Sequence, residues 1–244
     1  MESVITRPGP TAVTFDLSNP TQTTITLPSG STWSSGLHFH SSHDEYLIIR
    51  RGCVRVRRNS TVQTLAVRPG DAPIEIAVPR GVWHEWARAP PNALGPDCSL
   101  DQEDVVVLER TDPVDGEKRV FFWNLNGVIL QQPPWWLLVK RLWDWWVTLQ
   151  LFIIFHELDN VPVMLDVKGI MAQARLEAAT CKLMGERRVE WWTRAVDERW
   201  SLLVLWAASQ VGHVLGIRAV RREFTPEEVY KQFASAKKSQ RKES

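Results

Sequence analysis

An excess of charge of either sign is missing from this chain. Its 244 residues carry 29 Lys+Arg against 28 Asp+Glu, so no net field exists to hold a polyanion, and nucleic acid is not expected as a partner. Cysteine is scarce. Cys53, Cys98 and Cys181 are odd in number and far apart, which argues against a disulfide framework or a Cys-based zinc site and suits a reducing compartment. Residues 1–28 lack a basic run followed by an apolar core, so no cleaved signal peptide is expected and the protein reads as intracellular. No G-x-S-x-G, no P-loop and no G-x-G-x-x-G after a strand is present, which leaves a nucleophile elbow and nucleotide binding unsupported. Tyrosine is nearly absent, with 2 residues against 13 Trp, and ten of the Trp lie at or after Trp123. Two halves in different surroundings are therefore expected. The hydrophobic share of 44% and charged share of 23% are those of a globular chain and exclude wholesale disorder.

Short strands with turn punctuation fill the first half. Val13, Phe15 and Leu17, then Ile25 and Leu27, alternate weakly and read as an edge strand or an arm laid across a sheet, giving an N-terminal arm over residues 1–28. Tyr46 to Ile49 is an apolar run ended by Gly52. Val54 and Val56 alternate with Arg55 and Arg57, and Asn59-Ser60 is a hairpin turn into Val62–Val67. Ile74, Ile76 and Val78 alternate with Glu75 and Ala77, and Val105–Leu108 is a last buried strand. Near-regular spacing of such strands implies an all-β barrel or sandwich over residues 29–112.

Inside it lies a metal-type constellation. His38 and His40 are two apart, so on a strand both imidazoles project to one face. Glu45 follows shortly, and His84 sits near a later strand. Three imidazoles and a carboxylate suit a divalent transition metal, with Fe(II) or Mn(II) favoured by the carboxylate and Zn, Ni or Cu also accommodated. His43 could be a fifth ligand, but reads rather as a surface residue or a donor to the ligands. The spacings G-x-H-x-H-x4-E-x6-G (Gly36 to Gly52) and G-x8-P-x-G-x2-H (Gly70, Pro79, Gly81, His84) resemble the two cupin motifs. The resemblance implies a double-stranded β-helix, or jelly-roll, barrel with His38, His40, Glu45 and His84 as metal ligands. Two Gly-to-ligand gaps differ in length from the family pattern, and the Asn that often follows the last His is replaced by Glu85. Trp83, Trp86 and Arg80, adjacent to that His, are candidate substrate-binding residues. Alternation turns Phe39 away from the metal. The loop over residues 89–96 would sit near the barrel mouth as a surface loop or lid.

The period changes after Arg119. The overall fold class is α+β: a barrel followed by a Trp-rich, mainly helical extension over residues 113–230 and a basic tail over residues 231–244. The run from Trp135 to Phe155 has an 11-residue charge-free stretch, too short to span a bilayer but fit for an interfacial helix. The run from Trp200 to Ile217 holds 18 uncharged residues, the length at which a spanning helix becomes a candidate. Membrane lipid is the partner expected for both runs. A cytosolic barrel and a basic tail cannot sit on one side with a single crossing, so the two runs either form a hairpin or do not cross. His213 reads as a core or interface histidine.

Further segments resemble fungal cupin-domain proteins of secondary-metabolite clusters that carry a hydrophobic C-terminal extension. They are Glu109-Arg110-Thr111-Asp112-Pro113, Lys118 with Phe121–Leu125, His156–Val163, and Gly212 with Gly216-Ile217. The resemblance implies a metal-dependent oxidoreductase acting on a small lipophilic or aromatic metabolite. Isomerase or cyclase chemistry, and a non-catalytic binding or scaffold role at a membrane, are the alternatives. A homodimer is the assembly such a barrel suggests.

Overall fold

The computed structural model describes residues 2–91, 93, 102–135, 139–175 and 177–243. Half of the 89–96 loop, together with Trp136 and Cys98, lies outside them.

The antiparallel sheet turns on one long strand. β1 (Val4–Arg7), β2 (Val13–Asp16) and β3 (Thr23–Leu27) form a meander, so residues 4–27 supply three hydrogen-bonded strands where a single strand or arm was expected. Their alternation is that of a half-buried sheet: Val13, Phe15, Leu17, Ile25 and Leu27 are buried in the core. β4 (His38–Phe39) is short. β5 (Asp44–Arg58) runs for 15 residues, straight through the Gly52 position that was read as its end. β6 (Thr61–Val67), β7 (Ile74–Val78), β8 (His84–Arg88) and β9 (Val105–Asp112) follow.

The first half of β5 pairs with β9 and β7, and its second half with β8 and β6. The changeover falls at a register shift between Ile49 and Arg51. Such a bulge bends a strand and lets it serve two sheets. Gly52 completes the bend at φ +88°, where a Cβ would lie 2.8 Å from the Asp104 carbonyl oxygen and 2.9 Å from Val105. The strand order is β1-β2-β3-β9-β5-β8-β4-β10, with β6 and β7 also on β5.

β10 (Val161–Pro162) comes from the second half of the chain and extends the sheet at β4, with Val161 opposite Phe39 and Pro162 opposite His38. The rest of that half is helical: α1 (Glu117–Ile129), α2 (Lys140–Glu157), α3 (Val167–Gln173), α4 (Glu177–Met184), α5 (Glu186–Leu215) and α6 (Glu227–Glu243). Val120, Phe121, Phe122 and Trp123 of α1 and Leu149, Ile153 and Ile154 of α2 join the same core as the strands. Two glycines permit close helix contact. A Cβ on Gly212 would lie 2.3 Å from Ile153 Cδ1, and one on Gly127 would lie 2.3 Å from the Phe224 ring.

The Trp200 to Ile217 run falls mostly within α5. Among the described residues no helix is long and apolar enough to cross a membrane, so the spanning option is set aside. The buried stripe of α5 is Val189, Thr193, Asp197, Ser201, Leu205, Ala208 and Gly212, at helical spacing and mostly small or polar. His213 is exposed, not in the core.

Gly52→Ala forces both a strained φ and a backbone clash at the bend. It should cost about 2 kcal/mol or more and lower the thermal midpoint by roughly 4–8 °C. A calorimetric midpoint equal to that of the unsubstituted protein would show that the bend does not depend on glycine.

Candidate metal centre

Each ligand candidate arrives from a different part of the sheet. His38 in β4 stands opposite His84 in β8, His40 follows β4, and Glu45 begins β5. Their ring centroids are 4.2 Å apart for His38–His84, 5.1 Å for His38–His40 and 5.4 Å for His40–His84. One ligand atom from each of His38, His40, Glu45 and His84 lies within 4.8 Å of the others, and all four residues are buried.

The three imidazoles share one hydrogen-bonding scheme. His38 Nδ1 lies 2.8 Å from the Gly36 carbonyl, His84 Nδ1 lies 3.0 Å from the Val82 carbonyl, and His40 Nδ1 bonds the Asp159 carbonyl. A carbonyl only accepts, so each Nδ1 carries the proton. Each Nε2 is then a bare lone pair. Burial favours the neutral rings, holding His38 well below its ordinary value, His40 near 3 and His84 near 4. His40 Nε2 is buried without a partner. His84 Nε2 lies 2.6 Å from Glu45 Oε2, a contact of lone pair with carboxylate that only a cation or an extra proton makes favourable. The donor set fits a divalent metal, and backbone carbonyls fix the tautomers as carboxylates do elsewhere.

Several residues around this cluster carry no site motif. Lys118 of α1 ion-pairs with Glu45 Oε1 and, at 2.8 Å, with Glu109 Oε2. Trp86 Nε1–H donates to Glu109 Oε1 at 2.6 Å. Burial pulls the Lys118 pKa down and pushes the Glu109 pKa up, since each charge loses its water and finds the other. Lys118, Glu109 and His38 form one end of a cavity of about 210 Å³. Its walls are Phe121, Phe122, Leu125 and Ile129 of α1 and Leu151 and Phe155 of α2, with Arg7 and Trp33 from the β domain. Lys118 and Glu109 both lie in segments that carry the resemblance to fungal proteins, but nothing in their spacing gives them a place at the site.

The three substrate-binding candidates do not meet here. Trp86 is fully buried and touches the centre only through Glu109. Trp83 lines a separate cleft of about 60 Å³ and donates its Nε1–H to Glu198 at 3.2 Å. Arg80 is on the surface, paired with Asp44 at 3.3 Å. Phe39 is buried and packs with Trp83, Val161 and Leu205. The apolar wall comes from the extension instead, because α1 covers the mouth of the sheet.

His43 is buried, and both ring nitrogens meet carboxylates, Asp115 at 2.9 Å and Asp159 at 2.7 Å. These bonds raise its pKa to about 10. Its contacts are with Asp115 and Asp159 and not with the four-residue cluster; with Asp115 and Glu117 it forms a separate group of ligand-type atoms within 4.8 Å of one another. Asp159 also accepts from the backbone N–H of Ser41 (2.7 Å), Ser42 (2.9 Å) and His43 (3.1 Å).

No family model matches the chain, and no curated protein matches it. Solved structures are similar over less than half of the chain. Staphylococcus aureus CapF, a capsular polysaccharide assembling protein, is 14% identical over 46% of this chain at a TM-score of 0.32. The chain spans only 29% of the length of CapF. A predicted oxalate decarboxylase from Thermotoga maritima is 18% identical, covering 41% of this chain and 79% of its own, at a TM-score of 0.30. The Schizosaccharomyces pombe Cnp3 cupin domain is 17% identical, covering 48% and 75%, at 0.30. None of these findings carries the resemblance to fungal secondary-metabolite proteins. What the topology and the convergence of the motif residues define is an antiparallel β domain with a buried His/Glu cluster, packed against C-terminal helices.

Folding raises the His43 pKa from 6.5 to about 10, so its stabilising contribution is complete below about 6.5 and is lost as pH climbs through about 10. The stability difference between the unsubstituted protein and His43→Leu should therefore shrink from pH 6 to pH 10 in thermal melts. A difference independent of pH would remove the charged clamp.

Proposed function

We propose that the protein is a metal-dependent cupin-type enzyme performing oxidoreductase-type chemistry on a small lipophilic or aromatic metabolite, in secondary-metabolite biosynthesis. The observation that carries the reading is the common tautomer of His38, His40 and His84, with three bare Nε2 atoms converging beside the Glu45 carboxylate. When bound there, Fe(II) or Mn(II) supplies Lewis acidity or a redox centre. The chain's own residues do the rest. Phe121, Phe122, Leu125 and Phe155 take the apolar body of the substrate and exclude water from the cavity. Lys118 Nζ and Glu109 Oε2 hold a proton between them at the end nearest His38, where a substrate oxygen would stand. The same groups serve isomerisation or cyclisation, in which a proton is moved without net oxidation.

Protein purified without chelator in mild detergent should carry near-stoichiometric Fe or Mn by elemental mass spectrometry. The His40→Ala/His84→Ala double variant should carry less than about a tenth of it. A protein that holds no metal even after anaerobic addition of Fe(II) or Mn(II) ends the enzyme reading and leaves a metal-free binding role.

The protein is further proposed to be intracellular and to rest on a membrane surface through α2 and α5. Supporting this, the large side chains of α5 point away from the core. Trp191 is 71% exposed and Val214 84%, and Trp200, Leu203 and Trp206 are exposed beside them, while small and polar residues fill the buried stripe. Trp145 and Leu142 of α2 are exposed too, beside Lys140 and Arg141. Tryptophan with flanking basic residues is the composition of an interfacial helix. The protein should float with vesicles of phosphatidylcholine and phosphatidylserine, and Leu203→Ser/Trp206→Ser should reduce the bound fraction several-fold. A free protein that is instead dimeric by light scattering, with the dimer lost in the same variant, would assign the face to a second copy.

A further inference from the structure

The cavity beside the metal-type cluster is a slot with two distinct ends. Lys118, Phe121, Phe122, Leu125 and Ile129 line it from one face of α1. Lys118 marks the end with His38 and Glu109. Arg7 belongs at the level of Asn126, eight residues further along, or about 12 Å at 1.5 Å rise per residue.

Arg7 is held ready for a partner it does not have. Its Nε–H donates to Asn126 Oδ1 at 2.6 Å, and Asn126 Nδ2–H donates to the Phe122 carbonyl at 2.8 Å, which turns Oδ1 toward the guanidinium. The guanidinium stacks 5.1 Å over the Phe15 ring. Its Nη2 is buried with no hydrogen-bond partner, and among the described residues no carboxylate pairs with Arg7. Leaving a buried cationic donor unpaired is costly, so an acceptor is missing from this end. Burial lowers its pKa only to about 10, so the group stays charged at neutral pH. Lys118, at the other end, is already compensated by two carboxylates. An anionic group entering the slot therefore belongs at Arg7 and not at Lys118. Between the two ends the α1 and α2 walls are apolar, with Ser34, Ser35 and Asn160 adding polar lining on the other side, and the volume of about 210 Å³ lies below the range of drug-sized pockets.

We infer that the slot takes an elongated apolar carboxylic acid whose carboxylate is held by Arg7 and whose far end meets the His38 side, making Arg7 the residue that sets substrate class and direction. The assignment of the far end as the reacting end rests on the metal-enzyme reading above. The carboxylate site does not.

The test is a titration of the full chain, as purified and after chelator treatment, with 6-phenylhexanoate and with its neutral isostere 6-phenylhexanamide. Binding is read by calorimetry. The unsubstituted protein should bind the carboxylate at least tenfold more tightly than the amide. Arg7→Gln should erase that preference and leave amide binding unchanged, and Arg7→Lys should restore part of it. Equal binding of the two probes by the unsubstituted protein, or a preference that survives Arg7→Gln, overturns the inference. Should Arg7→Gln fail to fold by near-ultraviolet circular dichroism, Ile129→Trp at the half-exposed end of the slot should weaken both probes at least tenfold, and unchanged binding in that variant overturns it. A chain that binds no metal yet prefers the carboxylate defeats only the metal reading. A chain that binds metal and shows no preference defeats only this one.

Discussion

Asp159 is the residue on which the site depends. It lies past the end of α2, in the second half of the chain, yet its carboxylate holds the backbone of Ser41, Ser42 and His43 and its carbonyl fixes the tautomer of His40. The same carboxylate pairs with the His43 imidazolium, whose other nitrogen reaches Asp115 ahead of α1. Hydrogen bonds to charged groups are among the stronger ones in proteins. Here several converge on one side chain, so the loop carrying His40 is positioned by the extension and not by the sheet alone. β10 acts in the same sense, pairing with β4 and holding His38 in register with His84. The extension is therefore part of the centre and not an appendage to it.

The centre combines two electrostatic regimes a few ångströms apart. Around the histidines, burial and carbonyl acceptors keep the rings neutral and their lone pairs available. Around Lys118 and Glu109, burial works against both charges at once, and the pair gains its stability from mutual contact and from the Trp86 N–H. A buried His/Glu cluster is thus bordered by a buried Lys–Glu ion pair, and both adjoin the cavity lined by α1 and α2.

The helices show a different conflict. A helix normally turns its large apolar side chains inward, but α5 buries Thr193, Asp197, Ser201 and Gly212 and leaves its tryptophans outside. Close approach to α2 explains the buried stripe, since Ile153 occupies the space a side chain on Gly212 would need. The outward tryptophans are left exposed by that packing.

Local pattern made the β strands legible. Alternation at Val54/Val56 and at Ile74–Val78, the hairpin at Asn59, and the H-x-H spacing all follow from the two-residue repeat of a strand, which needs no knowledge of neighbours. His38, His40, Glu45 and His84 could be named together because their spacings are short and their chemistry is distinctive. The sequence did not disclose that β5 continues through Gly52 to serve two sheets, because a bulge and a turn both call for the same glycine. Nor did it disclose Arg7, Glu109, Lys118 and Asp159 as neighbours of the centre, or that Trp83 and Arg80 turn elsewhere. Those relations join residues as many as 119 positions apart. Only the packing of the helices over the mouth of the sheet brings them within hydrogen-bonding distance. The His/Glu cluster is thus a property of local spacing, while the walls, the buried Lys118–Glu109 pair and the half-satisfied Arg7 guanidinium are properties of tertiary burial, which alone decides which charges lose their water and which partner they find.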